Sequence, residues 1–116
     1  MKKPDPRGVT VMSTKINIIM DENHEIKAKP ENVLTRVSDT LEFHLHVDPD
    51  TGVTVSGNDN YPGSGWIQGS GMGGGHIEVF VSRDLDVPEE PGVSIYGYDI
   101  VVDGVGELDP MVIVKR

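Results

Sequence analysis

A glutamate and two histidines alternate along one short stretch of the sequence, at Glu42, His44 and His46. Side chains two residues apart on a β-strand lie on the same face, with Cα atoms roughly 6.5 to 7 Å apart. This spacing could chelate Zn²⁺, Cu²⁺ or Ni²⁺ if a neighbouring strand supplied a third ligand, for which His76 and Glu78 are candidates. The solvent-exposed face of a half-buried strand commonly carries the same residue types. We prefer the interpretation that these residues are ordinary surface side chains.

Two loops contain further candidate ligands. Residues 48–50 and 58–60 supply Asp and Asn oxygens, which Ca²⁺ prefers, but the pattern lacks the distal Glu of an EF-hand, and such residues are ordinary in hairpin loops. Residues 57–75 include eight glycines. Neither a helical pattern nor a Lys-Ser/Thr pair follows them, so we do not predict phosphate binding.

Two aromatic residues, Tyr61 and Trp66, lie in the glycine-rich stretch. Exposed aromatic side chains on loops can stack on sugars or peptides, which makes this pair a candidate binding site for an unknown small ligand or protein. A lone tryptophan in an aromatic-poor β domain can instead plug the open end of a sandwich. We favour the plug for Trp66.

The sequence shows no catalytic constellation. Ser70 and His76 would meet only through a pliable loop, and no G-x-S-x-G motif surrounds the serine. Asp84 and Asp86 lie in a proline-containing segment, where solvent would prevent a useful rise in the carboxyl pKa. We therefore expect a non-enzymatic protein.

Composition excludes several partners and cofactors. Ten Lys and Arg against 19 Asp and Glu give a net charge of −9, which would repel nucleic acid. Apolar runs are far shorter than the roughly 20 residues of a membrane span, and the N-terminus lacks an apolar signal segment, so we expect no membrane contact and a cytoplasmic location. With no cysteine, disulfides, thiolate catalysis and iron–sulfur clusters are excluded.

The elements that would position these residues are β-strands. Val and Ile number 25, against five Leu and one Ala, which favours strands over helices. The clearest alternation is in residues 40–47, where Leu41, Phe43 and Leu45 share one face. We predict an all-β Greek-key sandwich of about seven to eight strands over residues 13–116, preceded by a flexible leader at residues 1–12. The predicted strands are 15–20, 24–29, 32–37, 40–47, 53–56, 76–82, 94–102 and 111–115.

The same alternation predicts which residues form the core. Phe80 is expected to point outward, and Tyr96 or Tyr98 is expected to form a tyrosine-corner hydrogen bond. The predicted core comprises Ile16, Ile18, Ile26, Val33, Val37, Leu41, Phe43, Leu45, Ile77, Val79, Val81, Ile95, Ile100, Val102, Val112 and Val114.

Three segments resemble the cupredoxin family of β-sandwich proteins. Residues 26–43 resemble the family's opening, with a proline-containing strand, a turn at Ser38 and Asp39, and a strand of alternating apolar residues. Residues 92–98 resemble the Gly and Tyr-x-Tyr that lead to its copper-binding end, and residues 110–114 resemble its closing strand. The resemblance implies a cupredoxin-like Greek-key sandwich.

The copper ligands of that family are missing from this sequence. Type 1 copper needs a thiolate and two imidazoles, with a weak axial ligand such as Met. The resemblance places the cysteine position near Ile100, where this chain has no cysteine, and places residues 58–60 where the first histidine is expected. Met111 alone compares with the axial ligand. The resemblance therefore implies a scaffold without type 1 copper and without blue-copper electron transfer.

These observations predict a non-enzymatic binding or assembly module with no required cofactor. One alternative is a divalent-metal-binding protein that uses His44 and His46, with binding of Zn, Cu or Ca left open. A further alternative is a structural protein that assembles into a homo-oligomer through exposed strand edges.

Overall fold

The structure is a computed structural model that describes residues 13–57, 66–83 and 85–116. Ten β-strands form two sheets in this part of the chain. None of the described residues belongs to a helix long and apolar enough to cross a membrane. The predicted leader, residues 1–12, lies outside the described residues. The strands are β1 (Ser13–Met20), β2 (Ile26–Lys29), β3 (Val33–Arg36), β4 (Thr40–His46), β5 (Gly52–Gly57), β6 (Gln68–Met72), β7 (His76–Phe80), β8 (Val93–Val102), β9 (Gly106–Leu108) and β10 (Met111–Lys115).

The two sheets differ in size. The four-stranded sheet has the order β2-β1-β4-β7. The six-stranded sheet has the order β3-β10-β8-β5-β6, and β9 pairs with β8 outside that path. Two pairs of strands are parallel, β1 with β4 and β3 with β10, and the other pairs are antiparallel. The all-β sandwich predicted from the sequence is confirmed.

The core lies between the inward faces of the two sheets. Leu41, Phe43 and Leu45 of β4 are at most 1% exposed, as their alternation predicts. Phe43 meets Tyr98 of β8 edge to face, with ring centroids 5.7 Å apart, and this contact joins the two sheets. Outside the core, Phe80 is 58% exposed and points outward, which confirms the prediction for that residue.

One predicted core residue is wrong and two others lie at the core margin. Ile95 is 43% exposed, because β8 turns Tyr96 and Tyr98 inward and so directs Ile95 to the outer face. Ile26 and Val37 are partly buried and pack against the core from its edge.

Two strands and one turn depart from the predicted pattern. The strands β6 and β9 are additional, so the described residues contain two or three strands more than expected. Gly69 of β6 faces Ile77 so closely that a Cβ atom on Gly69 would lie 2.5 Å from Cγ2 of Ile77.

His24, predicted to begin a strand, lies in the β1–β2 turn with φ at 61°. The Asp21 carboxylate accepts the N–H of Glu25 at 3.0 Å and stabilises that turn.

Candidate functional site

The outer face of the four-stranded sheet gathers histidine and glutamate from two neighbouring strands. His44 of β4 is the direct register partner of His76 of β7, and Glu42 is the direct partner of Glu78. The imidazole rings of His44 and His76 stack with centroids 6.1 Å apart and planes 27° apart. We call these four residues, together with His46, the histidine face.

Hydrogen bonds and charge define how the histidine face is arranged. The Nε2 atom of His44 lies 3.1 Å from Oε1 of Glu42. This hydrogen bond lowers the pKa of the Glu42 carboxyl, so the carboxylate form is favoured. Lys15 of β1 is the register partner of Glu42 on its other side. The pair of His44 and His76 therefore lies close to two glutamates of the histidine face and to Lys15 beside it.

The sequence prediction of a His-x-His chelate involves His46, which the structure places elsewhere on the same face. The Nε2 atom of His46 is hydrogen-bonded to Oδ1 of Asn17 at 2.9 Å. Over residues 13–57, 66–83 and 85–116, no three metal-ligating side chains converge on one point as they stand. The pair that does come together is His44 with His76, across the strands.

The other predicted ligands are separated from this face or lie outside the described residues. Asp48 and Asp50 are exposed in the β4–β5 turn, where the Asp48 carbonyl accepts the N–H of Thr51 at 2.9 Å. Residues 58–60, the remainder of the calcium candidate, are not among the residues described. The same is true of Tyr61.

Trp66 is half-buried against the aromatic residues of β8. Its indole Nε1–H donates a hydrogen bond to the carbonyl oxygen of Gly97 at 2.8 Å. The ring centroid lies 5.2 Å from that of Tyr96 and 6.3 Å from that of Tyr98. A tryptophan anchored in this way has the contacts that a plug requires, and the residue as a whole remains partly exposed.

The two tyrosines of β8 have the same burial but different hydrogen bonding. Tyr96 is 1% exposed and its hydroxyl donates to the carbonyl of Asp86 at 2.9 Å, which is the tyrosine-corner type of contact. Tyr98 is fully buried, and its hydroxyl has no hydrogen-bond partner among the described residues. Desolvation by burial raises the pKa of the Tyr98 phenol well above its ordinary value.

Residues at the expected copper-binding end do not fit type 1 copper. Ile100, at the position that the resemblance assigns to the cysteine, is a fully buried aliphatic residue. Met111, compared with the axial ligand, is 39% exposed on the outer face of the six-stranded sheet. Since the chain contains no cysteine, it cannot supply the thiolate that this copper site requires.

The outer face of the six-stranded sheet has apolar side chains in direct register. Leu34 of β3, Ile113 of β10 and Ile95 of β8 are partners across three neighbouring strands. Leu34 is 55% exposed, and Ile113 and Met111 are each 39% exposed. We call Leu34, Ile95, Met111 and Ile113 the apolar row. Contiguous exposed apolar patches on a monomer are often functional.

Charged residues flank the apolar row at both ends of β3 and β10. Because these strands are parallel, their C-terminal ends place Arg36 and Lys115 opposite each other in the register. Their N-terminal ends follow Glu31 and Asp109, which are exposed and line one open cavity together. Charges of both signs lie at each end, because Lys27 and Lys29 line the cavity with Glu31 and Asp109, and Asp39 lines another with Arg36 and Lys115. This row was not predicted, because Ile95 was assigned to the core. The signal in the sequence is an apolar residue at every position from Met111 to Val114.

Comparisons with known proteins agree with this architecture. No protein-family model matches the chain, and no curated protein matches its sequence. A reduced tryptophan-to-tyrosine mutant of amicyanin superposes with a TM-score of 0.57 at 12% identity, over 94% of this chain and 88% of that chain. Native pseudoazurin from Hyphomicrobium denitrificans superposes with a TM-score of 0.53 at 15% identity, over 88% and 74%. Both are cupredoxins. This chain therefore has the cupredoxin fold without the cysteine that type 1 copper requires.

Proposed function

We propose that the chain is a non-enzymatic assembly module that pairs with a second copy of itself through the apolar row. The observation that carries this proposal is the direct register of Leu34, Ile113 and Ile95 across three strands, with each side chain exposed. Burying apolar surface contributes about 25 cal/mol per Å². Covering this row on two copies at once therefore favours association.

A second copy presents the same apolar row, so a two-fold arrangement covers both rows at once. A two-fold axis that runs along the row, between two sheets packed face to face, reverses the strand direction of one copy relative to the other. Arg36 and Lys115 of one copy then approach Glu31 and Asp109 of the other. Lys27 and Lys29 lie beside the acidic pair, and Asp39 lies beside the basic pair, so each end of the row is mixed in charge. The self-complementarity of the patch therefore rests on its apolar character.

The size of the patch indicates a weak complex. A stable interface of standard size buries about 800 Å² on each partner and uses about 20 to 30 residues a side, whereas the apolar row has four. Each copy also has a net charge of −9, which opposes association. We expect a dimer that dissociates in the micromolar range.

Sedimentation velocity over a concentration series tests this proposal with two matched variants. Ile113→Glu places a charge at the centre of the row, between Leu34 and Ile95, and is expected to give a monomer at every concentration. Phe80→Glu adds the same charge at a more exposed apolar residue on the other sheet, and is expected to dimerise like the wild type. Both sites are exposed, so both variants should fold, which circular dichroism would verify.

Two results would overturn the proposal. One is a wild-type chain that stays monomeric to millimolar concentration, which would show that the apolar row does not mediate self-association. The other is a dimer that forms equally well in Ile113→Glu, which would place the interface elsewhere.

A further inference from the structure

His44 and His76 form a cross-strand pair at the edge of the four-stranded sheet. Direct partners in an antiparallel pair have Cβ atoms about 4.5 to 5.5 Å apart. The two rings lie nearly parallel, with centroids 6.1 Å apart. Imidazole nitrogens bind Zn²⁺ at about 2.0 to 2.1 Å. For one nitrogen of each ring to reach a shared ion, the two side chains would rotate about χ1 and χ2 from the stacked arrangement.

Glu42 supplies a carboxylate beside this pair. Its Oε1 atom lies 3.1 Å from Nε2 of His44, so the carboxylate is beside one ring of the pair and would exchange this hydrogen bond for a shared metal ion. The side chains of His44 and Glu42 are 31% and 28% exposed. An ion can therefore enter from solvent and complete its coordination with water, as metal sites with open positions do.

The charges around the pair favour a cation. Glu42 and Glu78 are direct partners, and like charges opposite each other on neighbouring strands destabilise the sheet. Lys15, the partner of Glu42 on β1, compensates one of these two carboxylates. With neutral imidazoles, this patch has a net negative charge, which a bound cation would reduce.

We propose that His44, His76 and Glu42 bind one divalent transition-metal ion of the Zn²⁺ or Cu²⁺ class on the outer face of the four-stranded sheet. Two imidazoles in the ligand set favour these ions over Ca²⁺, which prefers oxygen ligands. His46 is not a ligand in this arrangement, because it is hydrogen-bonded to Asn17 and its register partner lies on β1 rather than β7.

Isothermal titration calorimetry of the untagged full chain with ZnCl₂ tests the site, because histidine variants distinguish the two chelation patterns. The wild type is expected to bind one ion per chain. His44→Ala and His76→Ala should each weaken binding by about tenfold or more, whereas His46→Ala, the matched control, should change it less than about twofold. Glu42→Gln should weaken binding by a smaller factor without changing the stoichiometry. All four side chains are on the outer face, and circular dichroism would verify folding.

Three outcomes would contradict this assignment. A wild type that shows no Zn²⁺ binding up to millimolar concentration would exclude the site. Equal losses in His46→Ala and His76→Ala would overturn the cross-strand pair in favour of chelation along β4. Binding that survives His44→Ala and His76→Ala together would show an adventitious ion only.

Discussion

The two buried tyrosines of β8 give a matched test of hydrogen bonding at the scale of single residues. Tyr96→Phe removes a hydroxyl that donates to the Asp86 carbonyl, and should lower the free energy of unfolding by about 1 kcal/mol. Tyr98→Phe removes a buried hydroxyl with no partner among the described residues, and should leave stability unchanged or raise it by up to about 1 kcal/mol. Urea denaturation followed by circular dichroism measures both. A loss in Tyr98→Phe as large as that in Tyr96→Phe would mean that the Tyr98 hydroxyl does have a partner.

Single residues also show how much of the candidate site the sequence could predict. Alternation placed Glu42 and His44 on the same solvent-facing side of β4, because the two-residue period of a strand follows from backbone geometry. Pairing order does not follow from alternation, so nothing in the sequence ranks His76 above His46 as the neighbour of His44. That choice depends on β4 and β7 being adjacent, which is a long-range contact.

At the scale of elements, the β6–β7 turn tests the close approach of two backbone segments. A Cβ atom on Gly73 would overlap the carbonyl oxygens of Asp48 and Val47, whereas one on Gly74 would meet nothing within 4 Å. Gly73→Ala should therefore lower the free energy of unfolding by about 3 kcal/mol, because a backbone carbonyl cannot rotate away as a side chain can. Gly74→Ala, the control, should cost about 1 kcal/mol, because only its positive φ of 81° is unfavourable. Thermal unfolding of both variants compares the two losses in the free energy of unfolding. Equal losses would contradict the close approach of the backbone at Gly73.

The elements that the sequence predicted well are those with a strong pattern of their own. In β4, alternation of apolar and polar residues was sufficient to place three core side chains. In β6 it was not, because Gly69 and Gly71 leave space for Ile77 and have low strand propensity. The local pattern also failed for Ile95 in β8, because Tyr96 and Tyr98 occupy the inward positions of that strand. Aromatic and glycine positions were therefore decided by packing between sheets, which is not visible in a local pattern.

At the scale of the whole molecule, net charge and the apolar row have opposite effects on association. Two copies with a charge of −9 each repel over the Debye length, which is about 30 Å at 0.01 M salt and about 8 Å at 0.15 M. If the apolar row drives pairing, added salt should screen this repulsion without weakening the contact. We therefore expect the dissociation constant to fall severalfold between 0.01 and 0.15 M NaCl, as measured by sedimentation equilibrium.

The direction of this salt effect identifies the force that holds the pair together. An interface held mainly by Arg36 and Lys115 against Glu31 and Asp109 would weaken as salt rises, because the same ions screen attraction between opposite charges. Tighter association at low salt would therefore assign the pairing to the charged ends, and the apolar row would lose its role as the driving contact. Ile113→Glu separates the two cases, since it removes the apolar contact while leaving all four charged side chains in place. If the apolar row is the driving contact, this variant should not associate at either salt concentration.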